Sequence, residues 1–158
     1  MIRYALIALS TLGLATAAQA ATINVTFSED FAEKLEEDYG VREGAKLTED
    51  IIDDLERELE GKEDQVERID VTILDAKPNR PTFEQISGTP GLDPLRSVSI
   101  GGMSLAGKVV HIDGDVSEVE YKWFENDIRD SVGAATWWDA NRASRRFAKR
   151  VADSVSDE

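Results

Sequence analysis

The sequence predicts an α+β domain, a two-layer sandwich in which a mostly antiparallel sheet of about five strands carries its helices largely on one face. Three observations lead there. Stretches that alternate apolar and polar residues occur on either side of a helical region and again in a close series before a last helix. Each helical stretch has one apolar stripe, so each must cover that stripe with another layer. The later alternating stretches are separated only by Gly101-Gly102 and Gly114-Asp115, connections short enough to force antiparallel neighbours.

Residues 22–27 place Ile23, Val25 and Phe27 on one face and read as the first strand. Ser28 is positioned to cap a helix whose Phe31, Leu35 and Tyr39 recur every four residues, with Glu29 and Asp30 at its positive end and Gly40 as its stop. A second helix aligns Leu47, Ile51, Ile52, Leu55 and Leu59. It starts either near Glu43 or at a Thr48 cap, and Gly61 ends it. Its opposite face, with Glu49, Asp50, Asp53, Asp54, Glu56 and Glu58, reads as a solvated acidic surface. Period two returns at residues 66–74, giving a second strand joined to the first by a helical crossover, so the two can pair in parallel.

Residues 75–95 contain all four prolines, Pro78, Pro81, Pro90 and Pro94, together with Gly88 and Gly91, and no regular element fits them. Loops of this length inside a domain are usually functional or disordered. Phe83 and Ile86 predict that part of the loop folds onto the body, while Asn79, Glu84 and Gln85 stand as exposed candidates. Strands are expected at residues 96–100, 104–113 and 117–124. In the last of these, Val119, Tyr121 and Trp123 alternate with Glu118, Glu120 and Lys122. The final helix takes Thr136 as its cap, with Asp139 at capping-box spacing. Its core stripe is Trp137, Ala140, Ser144, Phe147, Ala148 and Val151, and Trp138 is expected to be partly exposed. Arg142, Arg145, Arg146, Lys149 and Arg150 lie on the other side.

Residues 1–20 read as a cleavable signal peptide: Arg3, an uncharged apolar stretch over residues 4–15, and the small residues of Ala18-Gln19-Ala20 before a cut that exposes Ala21. A bilayer span needs about 20 apolar residues, and Ser10, Thr11, Thr16 and Gln19 interrupt this one. The absence of cysteine excludes a lipidated N-terminus after cleavage. The expected product is a single domain over residues 21–158 in the periplasm or outside the cell, with neither a transmembrane nor a lipid anchor. Cleavage removes one base, Arg3, and leaves 17 basic against 32 acidic residues, a formal charge of −15. Such a balance argues against nucleic acid as a partner, because phosphates are neutralised by clustered Lys and Arg. Without cysteine there is no thiol chemistry, iron–sulfur cluster or cysteine zinc site.

The one histidine lies in His111-Ile112-Asp113-Gly114-Asp115, where His111 and Asp113 project to the same side of a strand, as two ligands would. Asp113-Gly114 is equally a hairpin turn, and that reading is preferred. No Gly-x-Ser-x-Gly elbow is present, and Gly101-Gly102 lacks the spacing of a phosphate loop. No catalytic, cofactor-binding or metal-ligating set is therefore expected. The candidate partner-binding residues are Asn79, Arg80, Pro81 and Phe83 in the proline loop, and Arg142 and Arg146 on the basic helix. Prolines lower the entropy lost when a segment is held in one shape, which suits recognition; the alternative is a passive connection. For the basic helix, the first reading is that its cations complement the helix dipole and pair with carboxylates of the same chain.

Tyr39-Gly40-Val41-Arg42-Glu43, Arg96-Ser97-Val98-Ser99-Ile100-Gly101-Gly102 and Thr136-Trp137-Trp138-Asp139-Ala140, followed by Arg146-Phe147-Ala148, give the chain its resemblance to small exported α+β domains of uncharacterised proteobacterial envelope proteins. That resemblance implies the compartment and the fold class and carries over no activity. Many members of such groups are lipoproteins, which a chain without cysteine is not. The expected function is a non-enzymatic accessory of the bacterial envelope that binds a protein or envelope component. The alternatives are a small periplasmic hydrolase using carboxylates near residues 75–95, and an acidic inhibitor or sequestering protein for a basic partner.

Overall fold

Alternation builds the first strand, β1 (Thr22–Phe27), and Ser28 then caps α1 (Glu29–Lys34), its Oγ accepting from the Phe31 N–H at 3.2 Å. The computed structural model describes residues 21–131, 133 and 135–156, so the expected signal peptide lies outside the described residues. A π turn, Leu35–Tyr39, prolongs α1 and brings Tyr39 edge-on to Trp137 at 5.6 Å. Gly40, at φ +94°, reverses the chain so tightly that α2 (Val41–Glu58) begins at once. The expected start, near Glu43 or at a Thr48 cap, is thus replaced by a backbone reversal at Gly40.

β2 (Val66–Lys77) is longer than predicted and contains two bulges, between Val66 and Arg68 and between Ile73 and Asp75. Each bulge inserts one residue and shifts the alternation, so Val66, Ile69, Val71, Ile73 and Ala76 are all buried despite two three-residue steps. α3 (Phe83–Gly88) follows, then β3 (Gly102–His111), β4 (Val116–Phe124) and α4 (Trp138–Ser156). Among the described residues the sheet has four strands in the order β1-β2-β3-β4. β1 and β2 pair in parallel and the other two pairings are antiparallel. The fold is therefore α+β with a mixed four-stranded sheet.

Two predicted features are corrected. Residues 96–100 form no strand, because the segment opposite them contains Pro78 and Pro81, which have no N–H for a ladder; the backbone bond from Ser99 N to Asn79 O at 2.9 Å stands instead. Residues 75–95 are not without regular structure: β2 extends to Lys77, and Thr82 and Gln85 form a reciprocal capping box that starts α3.

α2 and α4 pack side by side over the sheet, α4 against β3 and β4 and α2 against β1. Leu47, Ile51 and Leu55 share one buried cluster with Ile69, Val71, Ile73 and Leu105, while Phe147 is seated on Gly107. A Cβ at Gly107 would lie 2.7 Å from Phe147 Cζ, so the glycine is what lets α4 approach. Between the helices, Ser144 Oγ donates to the buried carboxylate of Asp54 at 2.7 Å, and Arg57 Nη1 donates to it at 2.9 Å. Among the described residues no helix is long and apolar enough to cross a membrane.

Candidate binding cleft beside the proline segment

The segment after β2 is fixed by a residue that the sequence presented as an exposed candidate. Asn79 is fully buried. Its N–H donates to Thr136 O at 2.7 Å, its Oδ1 accepts from the Asp139 N–H at 2.8 Å, and its Nδ2 donates to Asp139 Oδ2 at 2.5 Å and to Ser99 O at 3.2 Å. Asp139 Oδ2 also accepts from Ser131 Oγ at 3.1 Å and Gly101 N at 3.3 Å. Asp139 was predicted to close a capping box with Thr136. Its carboxylate instead gathers three chain segments onto the first turn of α4, and Asn79 is the pivot of that gathering.

On this pivot the chain forms a cleft of about 460 Å³ between the end of β2, α3 and the extended residues 97–100. Pro78, Pro81, Leu92, Val98 and Ile100 supply apolar wall, and Lys77, Arg80, Tyr39 and Gln85 supply the polar groups. Asp93 folds the near side: its Oδ1 accepts from the N–H groups of Leu95 and Arg96, each at 2.8 Å, and its own N–H meets Ser97 Oγ at 3.0 Å. Across the floor, Ser99 Oγ donates to Pro78 O at 2.6 Å.

The cleft is cationic in an acidic protein. Among the described residues its lining contains Lys77 and Arg80 and no carboxylate, although the chain has 32 acids. Arg80 Nη1 is held by the Leu95 carbonyl, while its buried Nε has no hydrogen-bond partner. An unsatisfied guanidinium donor is costly and is relieved by any oxygen that reaches it. Lys77 Nζ lies 5.7 Å from the Phe124 ring centre. Burial pushes the Tyr39 hydroxyl above its ordinary pKa, so near neutral pH it is a hydrogen-bond donor and not a base.

The other predicted partner-binding residues divide. Arg80 and Pro81 line the cleft. Phe83, expected to fold onto the body, is 78 % exposed on α3, and Leu95 on the facing loop is 82 % exposed. Arg142 and Arg146 lie on α4, outside the cleft lining, and are engaged: both stack on Trp123, at 4.8 and 4.6 Å from its ring centre, and Arg150 stacks on Tyr121 at 4.7 Å. Arg142 also pairs with Asp139 at 3.3 Å and with Glu125 at 3.7 Å. The expectation is met only in part: Arg142 pairs with carboxylates of its own chain, Arg146 and Arg150 stack on aromatic rings instead, and because α4 continues to Ser156 these cations are not in its last turn to complement the dipole.

His111 is buried, with Nε2 2.8 Å from Ser117 Oγ, and Asp113 Oδ1 accepts from the Asp115 N–H at 3.0 Å within the β3–β4 turn. The pentapeptide is turn chemistry, as read. The pairing of the cleft with Tyr39 and residues 97–100 lay beyond sequence reasoning, and the excess of cations over acids around residues 77–80 was its one visible trace. No protein-family model and no curated protein matches the chain.

Proposed function

We propose that this protein is an exported, non-enzymatic accessory of the bacterial envelope whose cleft holds the anionic end of a partly apolar ligand, belonging to a protein chain or to an envelope component. The observation that carries the reading is the cleft's composition: two cations and an apolar wall, without a carboxylate, in a chain of formal charge −14. A lining opposite in sign to the net charge of the chain favours an anionic group there. The polar set accepts negative charge and is ill suited to proton transfer, since arginine stays protonated and Tyr39 is held in its neutral form. The export half of the reading rests on the sequence alone, on Arg3, the apolar residues 4–15 and Ala18-Gln19-Ala20.

Anilinonaphthalene sulfonate has the chemistry the cleft calls for, an aromatic body with one fixed anion. Titration of the protein with this dye should give saturable, blue-shifted fluorescence, and the Lys77→Gln/Arg80→Gln pair should weaken the affinity at least tenfold while Arg150→Gln, on the far stretch of α4 beside Tyr121, leaves it unchanged. Equal affinity in all three proteins would remove the cleft from consideration.

A further inference from the structure

The two edges of the sheet are built differently. β4 carries Glu118, Glu120 and Lys122 at exposed positions, and its helix-side aromatics Tyr121 and Trp123 are roofed by the arginines of α4. Charged residues of that kind deter pairing with another strand. β1 contains no charged residue and no proline, and among the described residues no strand pairs with its outer side. Its register shows which groups are turned outward. Ser28 N donates to Ile73 O at 3.0 Å, so alternation along the strand directs the N–H and C=O groups of Ile23, Val25 and Phe27 away from β2.

The apolar surface above this row continues past the edge. α2 turns Leu47, Ile51 and Leu55 into the core, and the flank that carries Glu43 and Asp54 is covered by Trp137, just before α4, whose Nε1 donates to Glu43 at 2.6 Å, and by Ser144 of α4, which donates to Asp54. The opposite flank, with Val41, Ala45 and Ile52, joins Phe27 in lining a groove of about 520 Å³, and Val41 is 67 % exposed. Glu49 and Asp53 also line that groove, and both are acidic.

We propose that the β1 edge and this groove take an extended segment of another protein, which joins the sheet as a fifth strand, places aliphatic side chains against Phe27, Val41 and Ile52, and sets a lysine or arginine against Glu49 and Asp53. Main-chain pairing along an exposed edge supplies affinity, and the groove selects the side chains. Charge complementarity selects the occupant. A second copy would bring its own Glu49 and Asp53 and a formal charge of −14 against −14, whereas a basic strand meets carboxylates it can neutralise. The site shares no lining residue with the cationic cleft and attracts the opposite charge, so it stands or falls separately.

The test uses a fluorescent, end-blocked peptide of alternating threonine and valine ending in two lysines, and a counterpart with two glutamates in their place, followed by anisotropy at low and physiological salt. The lysine peptide should bind at least tenfold more tightly than the glutamate peptide. Val25→Pro removes one outward N–H and leaves the bonds to β2, and Glu49→Lys/Asp53→Lys alters only the groove; each should weaken binding at least tenfold, while Arg80→Gln should not. Because the charge-reversed variant leaves the strand untouched, it decides the matter even if the proline disturbs folding. Equal binding of the two peptides, no binding of either, or dimerisation of the free chain abolished by Val25→Pro would each overturn the proposal.

Discussion

Replacing Asn79 with alanine removes three side-chain hydrogen bonds at one fully buried point: two from Nδ2, to Asp139 Oδ2 and Ser99 O, and one into Oδ1 from the Asp139 N–H. The bond to the carboxylate is charge-assisted and contributes about 1.5–3 kcal/mol, and each neutral bond about 1 kcal/mol. Asp139 keeps Ser131, Gly101 and Arg142 as partners, so its charge is not orphaned and the expected loss stays at about 4 kcal/mol instead of rising further. For a domain of this size that lowers Tm by about 10–15 °C. Urea unfolding followed by circular dichroism measures it directly, with the slope m unchanged if only the native contacts are lost. An exposed recognition residue would behave quite differently, with a change within about 0.5 kcal/mol. A loss below about 1 kcal/mol would therefore refute the pivot and return Asn79 to the surface.

Gly107→Val drives a side chain into the Phe147 ring and should cost about 1–3 kcal/mol by overpacking, read from the shift in urea midpoint. His111→Ala should lower stability by about 1–3 kcal/mol through the lost Ser117 bond and lost packing, yet leave dye affinity at the cleft unchanged; an altered affinity would give the histidine a role this account denies it. The amide of Asn24, and after it Arg68, holds the Asp70 carboxyl below its ordinary 3.8, so its contribution to stability is present above that value and fades as the pH falls through it. Asp70→Asn should consequently flatten the acid limb of the stability profile between about pH 5 and 2 relative to the unaltered protein, and identical limbs would contradict the sign.

The legible parts of the fold were those in which periodicity coincides with burial. The apolar stripes of β1, α1 and α4 are legible because Ile23, Val25 and Phe27, then Phe31 and Leu35, then Ala140, Phe147 and Val151 all face the core, whereas the start of α4 is not, since Asp139 turns to Asn79 instead of Thr136. β2 was cut short because its bulges break the two-residue rhythm after Ile73. α3 is not legible although Thr82 and Gln85 carry the spacing of a capping box, since a six-residue helix with no buried residue leaves no apolar period among the prolines. At the cleft, Arg80 and Pro81 were legible as outliers in composition, while the burial of Asn79 was not. An asparagine in a proline loop gives no local sign that an aspartate sixty positions later will close on it. Arg142 and Arg146 were legible as charge, but their stacking on Trp123 depends on the α4–β4 crossing, which only the tertiary fold creates.

Mapping where an anionic, partly apolar probe perturbs the protein decides whether the cationic cleft is the binding surface proposed for it. Backbone amide spectra of the ¹⁵N-labelled protein, titrated with anilinonaphthalene sulfonate, should show saturable shifts confined to Lys77, Arg80, Gln85 and residues 97–100, and these should vanish in the Lys77→Gln/Arg80→Gln pair. Shifts centred on Arg142, Arg146 and Arg150, or scattered over the surface without saturation, would contradict the account.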